Sequence, residues 1–317
     1  MYVPPKSQGL YDPDREHDAC GVGAVVNISG RRDHAIIETG KQVLLNLHHR
    51  GAAGADETTG DGAGILFQIP HKFFTAESER LGFALPAPGR YGVATVFGPK
   101  DDADLFAACR GLLEASAAHY GMKVLAWRDV PCDNRTLGEL ALAAEPAVRQ
   151  AFFDACGMDE ERFEDRLFLA RKRAERLVRE RFAAKASDFY VVSMSCRTVC
   201  YKGMFFAHQL FAYYPDLADE RVESALCLVH QRYSTNTFPN WRLAQPFRMV
   251  AHNGEINTLS GNRNRMRGRE RRLECPRLGE DLSDLRPVLT EGASDSAQFD
   301  NALELLVRAG RSLPHSM

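Results

Sequence analysis

The apolar positions of this chain fall into short runs and helical stripes. Val22 to Ile28, Ile65 to Pro70, Tyr91 to Phe97, Lys123 to Val130, Phe189 to Ser195, Val199 to Lys202, Leu226 to His230 and Phe247 to Ala251 read as strands. The first of these, almost wholly apolar, reads as a buried one. Helical periodicity covers Asp33 to Leu47, where Ile36, Ile37, Val43, Leu44 and Leu47 share a side. It recurs in Ala103 to Tyr120, along Leu105, Ala108, Leu112 and Ser116. A long charged helix over Asp159 to Phe182 carries the stripe Phe163, Leu167, Ala170, Ala174 and Leu177. Gln298 to Val307 predicts a last helix. Strands come in clusters with helices between the clusters. Regular βαβ alternation is absent, so the pattern predicts an α+β layered fold, not a doubly wound sheet.

Composition narrows the class. With 44% hydrophobic residues, 26% charged residues and a net charge of −2, the 317-residue chain has ample material for a core and gives no reason to expect a nucleic-acid or membrane partner. No apolar run approaches bilayer length, and the N-terminus lacks the apolar region of a secretory signal. The eight cysteines are scattered, and no two form a C-x-x-C pair. Cys196 and Cys200, four apart, do not have a metal spacing, so no metal is expected, and reduced thiols in a cytoplasm are the simplest account.

Candidate chemistry begins at Cys20. It stands between a polar leader, Met1 to Ala19, and the first apolar run. The leader holds three prolines, six acidic or basic residues and no apolar periodicity. Cleavage after Ala19 would give Cys20 a free α-amine beside its thiol. With reference pKa values of about 7.7–8.0 and 8.5, the amine can take the thiol proton near neutral pH. A lone cysteine at a strand start is more often an ordinary core residue, so the remaining polar segments decide. The strand at Leu226 runs into His230-Gln231-Arg232-Tyr233-Ser234-Thr235-Asn236-Thr237, where Arg232 is suited to hold a carboxylate with two parallel hydrogen bonds. Alone, it is as well read as a surface arginine. The next predicted strand leads into His252-Asn253-Gly254-Glu255. Asn-Gly is first a tight-turn signal. Alternatively, the Asn253 side-chain amide and the Gly254 N–H donate to one oxyanion. Ser294-Asp295-Ser296 reads as a helix start, or as a place where Asp295 meets a substrate ammonium. Gly60-Asp61-Gly62-Ala63-Gly64 lacks the Lys and Ser/Thr of a phosphate loop and precedes a strand, which argues against nucleotide binding. Seven arginines between 262 and 277, without interleaved aromatics, read as a solvated or domain-facing basic helix.

In this order the segments resemble the N-terminal glutaminase domain of glutamate synthase large subunits, a class II glutamine amidotransferase of the N-terminal-nucleophile hydrolase superfamily. The resemblance is carried by the leader ending at Cys20, His49-Arg50-Gly51, Thr59 to Gly64, His230 to Thr237, Asn253 to Leu259, Gly279-Glu280-Asp281, Ser294 to Ala297, Asp300 to Leu306 and Ser312 to His315. It implies a four-layer αββα sandwich, a removed pro-segment 1–19 and an amidotransferase domain over 20–317, truncated at its C-terminus. It implies Cys20 as nucleophile, Asn253 and Gly254 as oxyanion hole, Arg232 for the glutamine α-carboxylate and Asp295 for its α-amine, with Thr235 closing the pocket and Arg50 beside the nucleophile. It also implies that ammonia released from L-glutamine passes to 2-oxoglutarate elsewhere in a longer protein. No cofactor is expected in this chain; FMN and an iron–sulfur cluster are expected in the missing domains, with an electron-donor subunit or ferredoxin as partner. Two alternatives remain open at this point: a glutaminase serving another acceptor, such as a sugar phosphate or phosphoribosyl pyrophosphate, and an unprocessed, inert binding module. The long segment between Gly98 and His230 argues against the first.

Overall fold

The computed structural model describes residues 7–9, 21–53, 56–232, 238–279 and 282–317. In chain order, the first half contains β1 (Val22–Val26), α1 (Ala35–Asn46), β2 (Ala63–Gln68), α2 (His71–Leu81), β3 (Tyr91–Gly98), α3 (Ala103–His119), β4 (Lys123–Asp129), α4 (Glu139–Ala143) and β5 (Ala147–Asp154). The second half contains α5 (Glu160–Phe182), β6 (Tyr190–Ser195), β7 (Thr198–Gly203), α6 (Ala207–Tyr213), β8 (Leu226–Gln231), α7 (Leu259–Glu270), α8 (Asp295–Arg308) and α9 (Leu313–Ser316). The strands form two four-stranded sheets, in the orders β1-β8-β2-β7 and β4-β5-β3-β6, and every strand pair is antiparallel. A mixed fold with antiparallel sheets is what clustered strands predict, and the doubly wound alternative is excluded.

The alternation of side chains within the strands explains where each core sits. In β3, Tyr91, Val93 and Phe97 turn to the same apolar cluster as Phe67 of β2 and Tyr201 of β7, which stack with ring centroids 5.8 Å apart. Ala94 and Val96 turn the other way, to a second cluster shared with Phe106 and Leu113 of α3 and Phe163 and Leu167 of α5. The second sheet is therefore covered on both faces, and its strand β3 reads as a nearly continuous apolar run for that reason. The helix starts are capped from the sequence: Asp102 accepts from Leu105 N at 3.0 Å and Asp159 from Arg162 N at 2.9 Å.

Four readings need correction. The first strand is an edge strand, not a buried one: among the described residues β1 has a partner on one side, and both Val26 and Ile28 are largely exposed. The strand expected at Phe247 to Ala251 does not form. The Asp300 carboxylate takes the N–H groups of Met249 and Val250 at 2.7 and 3.2 Å, in place of a ladder partner. The buried face of α3 is Leu105, Phe106, Cys109, Leu113, Ser116 and Ala117, so the predicted stripe is rotated. In α5 the last buried stripe position is Val178, not Leu177. β5, α2, α4, α6 and α9 are additional to the predicted elements. β5 escapes the pattern because Arg149 and Gln150 interrupt its apolar run, yet Gln150 is fully buried.

Gln150 belongs to a polar knot between the sheets. Arg128 donates to Asp216 through two bonds of 2.7 Å, to Glu77 at 2.6 Å and to Gln150 at 3.0 Å, and the Tyr201 hydroxyl donates to Asp216 at 2.9 Å. Arg128 and Asp216 are both buried. Removing one partner of such a pair leaves an uncompensated charge, so Asp216→Ala is expected to destabilise the fold by about 3–5 kcal/mol. Urea denaturation measures this directly. A loss below about 1 kcal/mol, the size expected of an exposed ion pair, would show that the knot is dispensable.

Candidate active site

The polar segments singled out in the sequence converge at one corner of the first sheet. There the start of β1 meets the end of β8 and the start of β2: Val22 pairs with His230, and Gly64 pairs with His230 from the other side. One step further, Gln231 N donates to Gly21 O at 2.7 Å, and Arg232 N donates to Gly62 O at 2.9 Å. Gly21 has no room for a side chain. A β-carbon there would stand 2.2 Å from Gln231 O and 3.3 Å from Asn253 Oδ1. The residue that follows Cys20 is thus packed against both β8 and the Asn-Gly turn. Cys20 and Thr235 lie outside the described residues, as do Glu280 and Asp281.

Arg232 leaves the sheet with φ at +103°, a conformation that costs a non-glycine residue about 1–3 kcal/mol. Arg50 ends a short 3₁₀ turn, His48–Arg50, and its neighbour Gly51 lies against the Gln231 carboxamide. Arg50 is therefore brought to the same strand end.

Asn253 and Gly254 sit in irregular chain whose geometry is set by side chains. The buried Gln245 carboxamide pairs with the backbone of His252, accepting its N–H at 2.8 Å and donating to its carbonyl at 2.9 Å. Downstream, Ile256 N donates to Asp295 Oδ2 at 2.8 Å. Asp295 is buried at the first turn of α8, where a carboxylate is favoured by the helix dipole. Ser294 is the helix cap, accepting from Ala297 N at 3.2 Å, as one sequence reading has it. Ser296 is not a cap: its hydroxyl lies 3.0 Å from His252 Nδ1 and donates to Asp295 Oδ1 at 3.2 Å. The structure therefore brings together Gly21, Asn253 and Gln231 directly, Arg232 and Arg50 through their chain neighbours, and Asp295 through Ile256.

Gln245 and His252 hold the Asn253–Gly254 segment in place, and sequence reasoning missed both. A glutamine in a loop carries no signal of its own. His230 carried one, as the sole imidazole in an apolar strand. It is 1% exposed, and burial pushes its pKa down to about 4, against a weaker upward pull from the backbone of His252 and Arg232. The ring is held neutral beneath the two segments that present Arg232 and Asn253.

A separate cavity of about 310 Å³ is lined by α5, the 242–248 segment and α8, and no predicted site residue lines it. Among the described residues, no group of three or more His, Cys, Asp or Glu is placed to hold a metal ion, and no helix is long and apolar enough to cross a membrane. The basic helix α7 has no fully buried residue, and its Met266 packs half-buried against the cluster around Leu278 and Leu305.

Comparison with known proteins gives a consistent family. The model described as glutamine amidotransferases class-II matches residues 20–317. The chain is 45% identical to the NADPH glutamate synthase large chain of Azospirillum brasilense over 305 residues, covering 96% of this chain and 20% of that protein. It is 43% identical to the corresponding large chain of Bacillus subtilis, covering 98% of this chain and 20% of the relative. It is 42% identical to the NADH glutamate synthase of Saccharomyces cerevisiae, covering 99% and 15%. The chain thus spans about a fifth or less of the length of the relatives it matches.

The buried imidazole predicts a pH dependence. A histidine with its folded pKa depressed to about 4 contributes stability that is present above the unfolded value of about 6.5 and lost as pH falls toward the folded one. Between pH 7 and pH 5, His230 is expected to account for a loss of about 1–2 kcal/mol. Urea midpoints of the unaltered chain and of His230→Gln at both pH values check it; an equal acid loss in both proteins would exclude His230 as its source.

Proposed function

This chain belongs to the class-II glutamine amidotransferases, and from that premise we propose that it hydrolyses L-glutamine with Cys20 as nucleophile, as the glutaminase part of a glutamate synthase. The observation that carries the reading is the family match that begins at residue 20 and runs to residue 317. It supports removal of residues 1–19 and a single amidotransferase domain over 20–317. The apolar contact between the two sheets, with α3 and α5 on the outer face of one and α1 against β8 of the other, supports a four-layer αββα sandwich.

In this reading, the freed α-amine of Cys20 takes the thiol proton, and the thiolate attacks the side-chain amide of glutamine. The resulting oxyanion receives hydrogen bonds from the Asn253 carboxamide and the Gly254 N–H. The close packing of Gly21 against Asn253 supports this assignment, since it keeps the chain next to the nucleophile beside the donors. The protonated amine returns its proton to the leaving ammonia, and water hydrolyses the γ-glutamyl thioester to glutamate. Arg232 holds the substrate carboxylate and Asp295 its ammonium, with Thr235 and Arg50 bordering the pocket. The ammonia is used to convert 2-oxoglutarate to glutamate in parts of the protein outside this chain. FMN, an iron–sulfur cluster and an electron-donor subunit or ferredoxin belong to those parts. Seven cysteines free of disulfides among the described residues fit a reducing cytoplasm.

Cys20→Ala is expected to abolish ammonia release from glutamine, and intact-mass measurement of active protein is expected to show a chain starting at Cys20. Retained activity in the variant, or an active chain that keeps residues 1–19, would remove the mechanism. Asn253→Ala is expected to lower kcat by about 10²–10³-fold, the usual effect of losing one oxyanion donor; an unchanged kcat would reassign Asn253 to turn formation alone.

A further inference from the structure

Asp295 holds both ends of the segment that presents Asn253 and Gly254. On one side its Oδ2 accepts the Ile256 N–H at 2.8 Å. On the other, its Oδ1 accepts the N–H and the hydroxyl of Ser296 at 2.6 and 3.2 Å, and that hydroxyl lies 3.0 Å from His252 Nδ1. The donor inventory fixes the direction of this chain. A carboxylate has no proton to give, so the single hydroxyl hydrogen of Ser296 goes to Asp295, and the Ser296 oxygen accepts from His252 Nδ1–H. The Nε2 edge of the imidazole then lies against Gly254, 3.1 Å from where a β-carbon would stand. Residues 252 and 256 are tied to one buried carboxylate, and the two proposed oxyanion donors lie between them.

We infer that this clamp couples recognition of the substrate's α-ammonium to assembly of the oxyanion hole, with His252 as the positioning residue that transmits it. The inference rests on the roles given to Asp295, Asn253 and Gly254 in the proposed function. An ammonium bound at Asp295 fixes the carboxylate. Through Ile256 at one end and Ser296–His252 at the other, it fixes the turn that must meet the developing negative charge. Binding energy from a non-reacting part of the substrate is thereby expressed at the reacting centre. An amide lacking the α-ammonium then loses turnover as well as affinity, and specificity for a free amino acid appears in kcat and not in KM alone.

The test compares L-glutamine with 5-amino-5-oxopentanoate, which is glutamine without its α-amino group, by ammonia release in the full chain. For the unaltered protein the kcat ratio is expected to be about tenfold or more, within the range of about 5- to 150-fold usual for linked sites. Turnover of the analogue too slow to detect, while it still competes with glutamine for binding, counts as such a ratio. In His252→Ala the kcat ratio is expected to shrink to about twofold or less as glutamine turnover falls, while the KM ratio, set by Asp295 itself, persists. His252→Asn, which retains a donor near the Nδ1 position, is expected to restore most of the kcat ratio. Ser296→Ala removes the same link without touching the imidazole and decides the matter if His252→Ala fails to fold. A kcat ratio unchanged in the folded variants, or near one in the unaltered protein, overturns the coupling while the glutaminase reading stands. Absence of glutamine hydrolysis by the unaltered protein overturns that reading and the coupling with it.

Discussion

The pairing of β1 with β8 is the constraint on which the rest of the site depends. It is an edge pairing, half open to solvent, and its register is set where Gly21 slides under Gln231 with no side chain between them. A slip of one residue would turn every side chain of β1 to the opposite face. It would also carry the position after Cys20 away from Asn253. β8 is the shared member: it pairs β1 on one side and β2 on the other. Whatever fixes β8 therefore fixes both the entry to the site at Gly21 and the exit at Arg232.

The second half of the site is built without a sheet. From Phe247 to Ile256 the backbone runs irregularly, and its polar groups must still find partners. They find them on side chains: Asp300 for Met249 and Val250, Gln245 for His252, and Asp295 for Ile256. Two of these three belong to α8, which takes over the role of a neighbouring strand. The cost appears in Asp300. Its burial, with the charge of Glu304 nearby and Arg248 opposing, raises its pKa to about 6. A helix that satisfies loop backbone with carboxylates is a less forgiving support than a ladder. It has the advantage of holding a turn in a conformation that no strand allows.

These two halves also explain what the sequence disclosed. The strands facing two apolar layers announced themselves as continuous runs, and α1, α3, α5 and α8 appeared at nearly their observed limits because their stripes are long. β5 stayed hidden because its middle holds Gln150, a member of the buried polar knot, next to the half-buried Arg149, which pairs with Asp129. Phe247 to Ala251 looked like a strand because its apolar residues are buried, but they are buried against α8 and not within a sheet. The candidate site was legible as four polar segments, two of them following predicted apolar strands. Their convergence was not, because nothing local in Asn253 or Asp295 says that Ile256 will bridge them. The supports were least visible of all: Gln245 binds the His252 backbone through its carboxamide and His252 meets Ser296 through its imidazole, and only the fold gives them these partners.

The strained backbone at Arg232 follows from the same geometry. β8 must end where β1 and β2 both begin, and the chain has to leave a sheet that is occupied on either side. The first residue beyond the ladder adopts φ at +103° while its N–H is still captured by Gly62. Strain of about 1–3 kcal/mol persists only where the surroundings over-determine it. Here those surroundings are a buried neutral His230 two residues before it, the Gly62 carbonyl, and the Gln231 backbone fixed to Gly21. A guanidinium launched from an over-determined backbone starts from one direction and not from many. The entropy of aiming it is met during folding and not at each binding event. The corner of the sheet thus pre-orients three things at once: the chain beside the proposed nucleophile, the proposed donors on the turn and the guanidinium on the strand end.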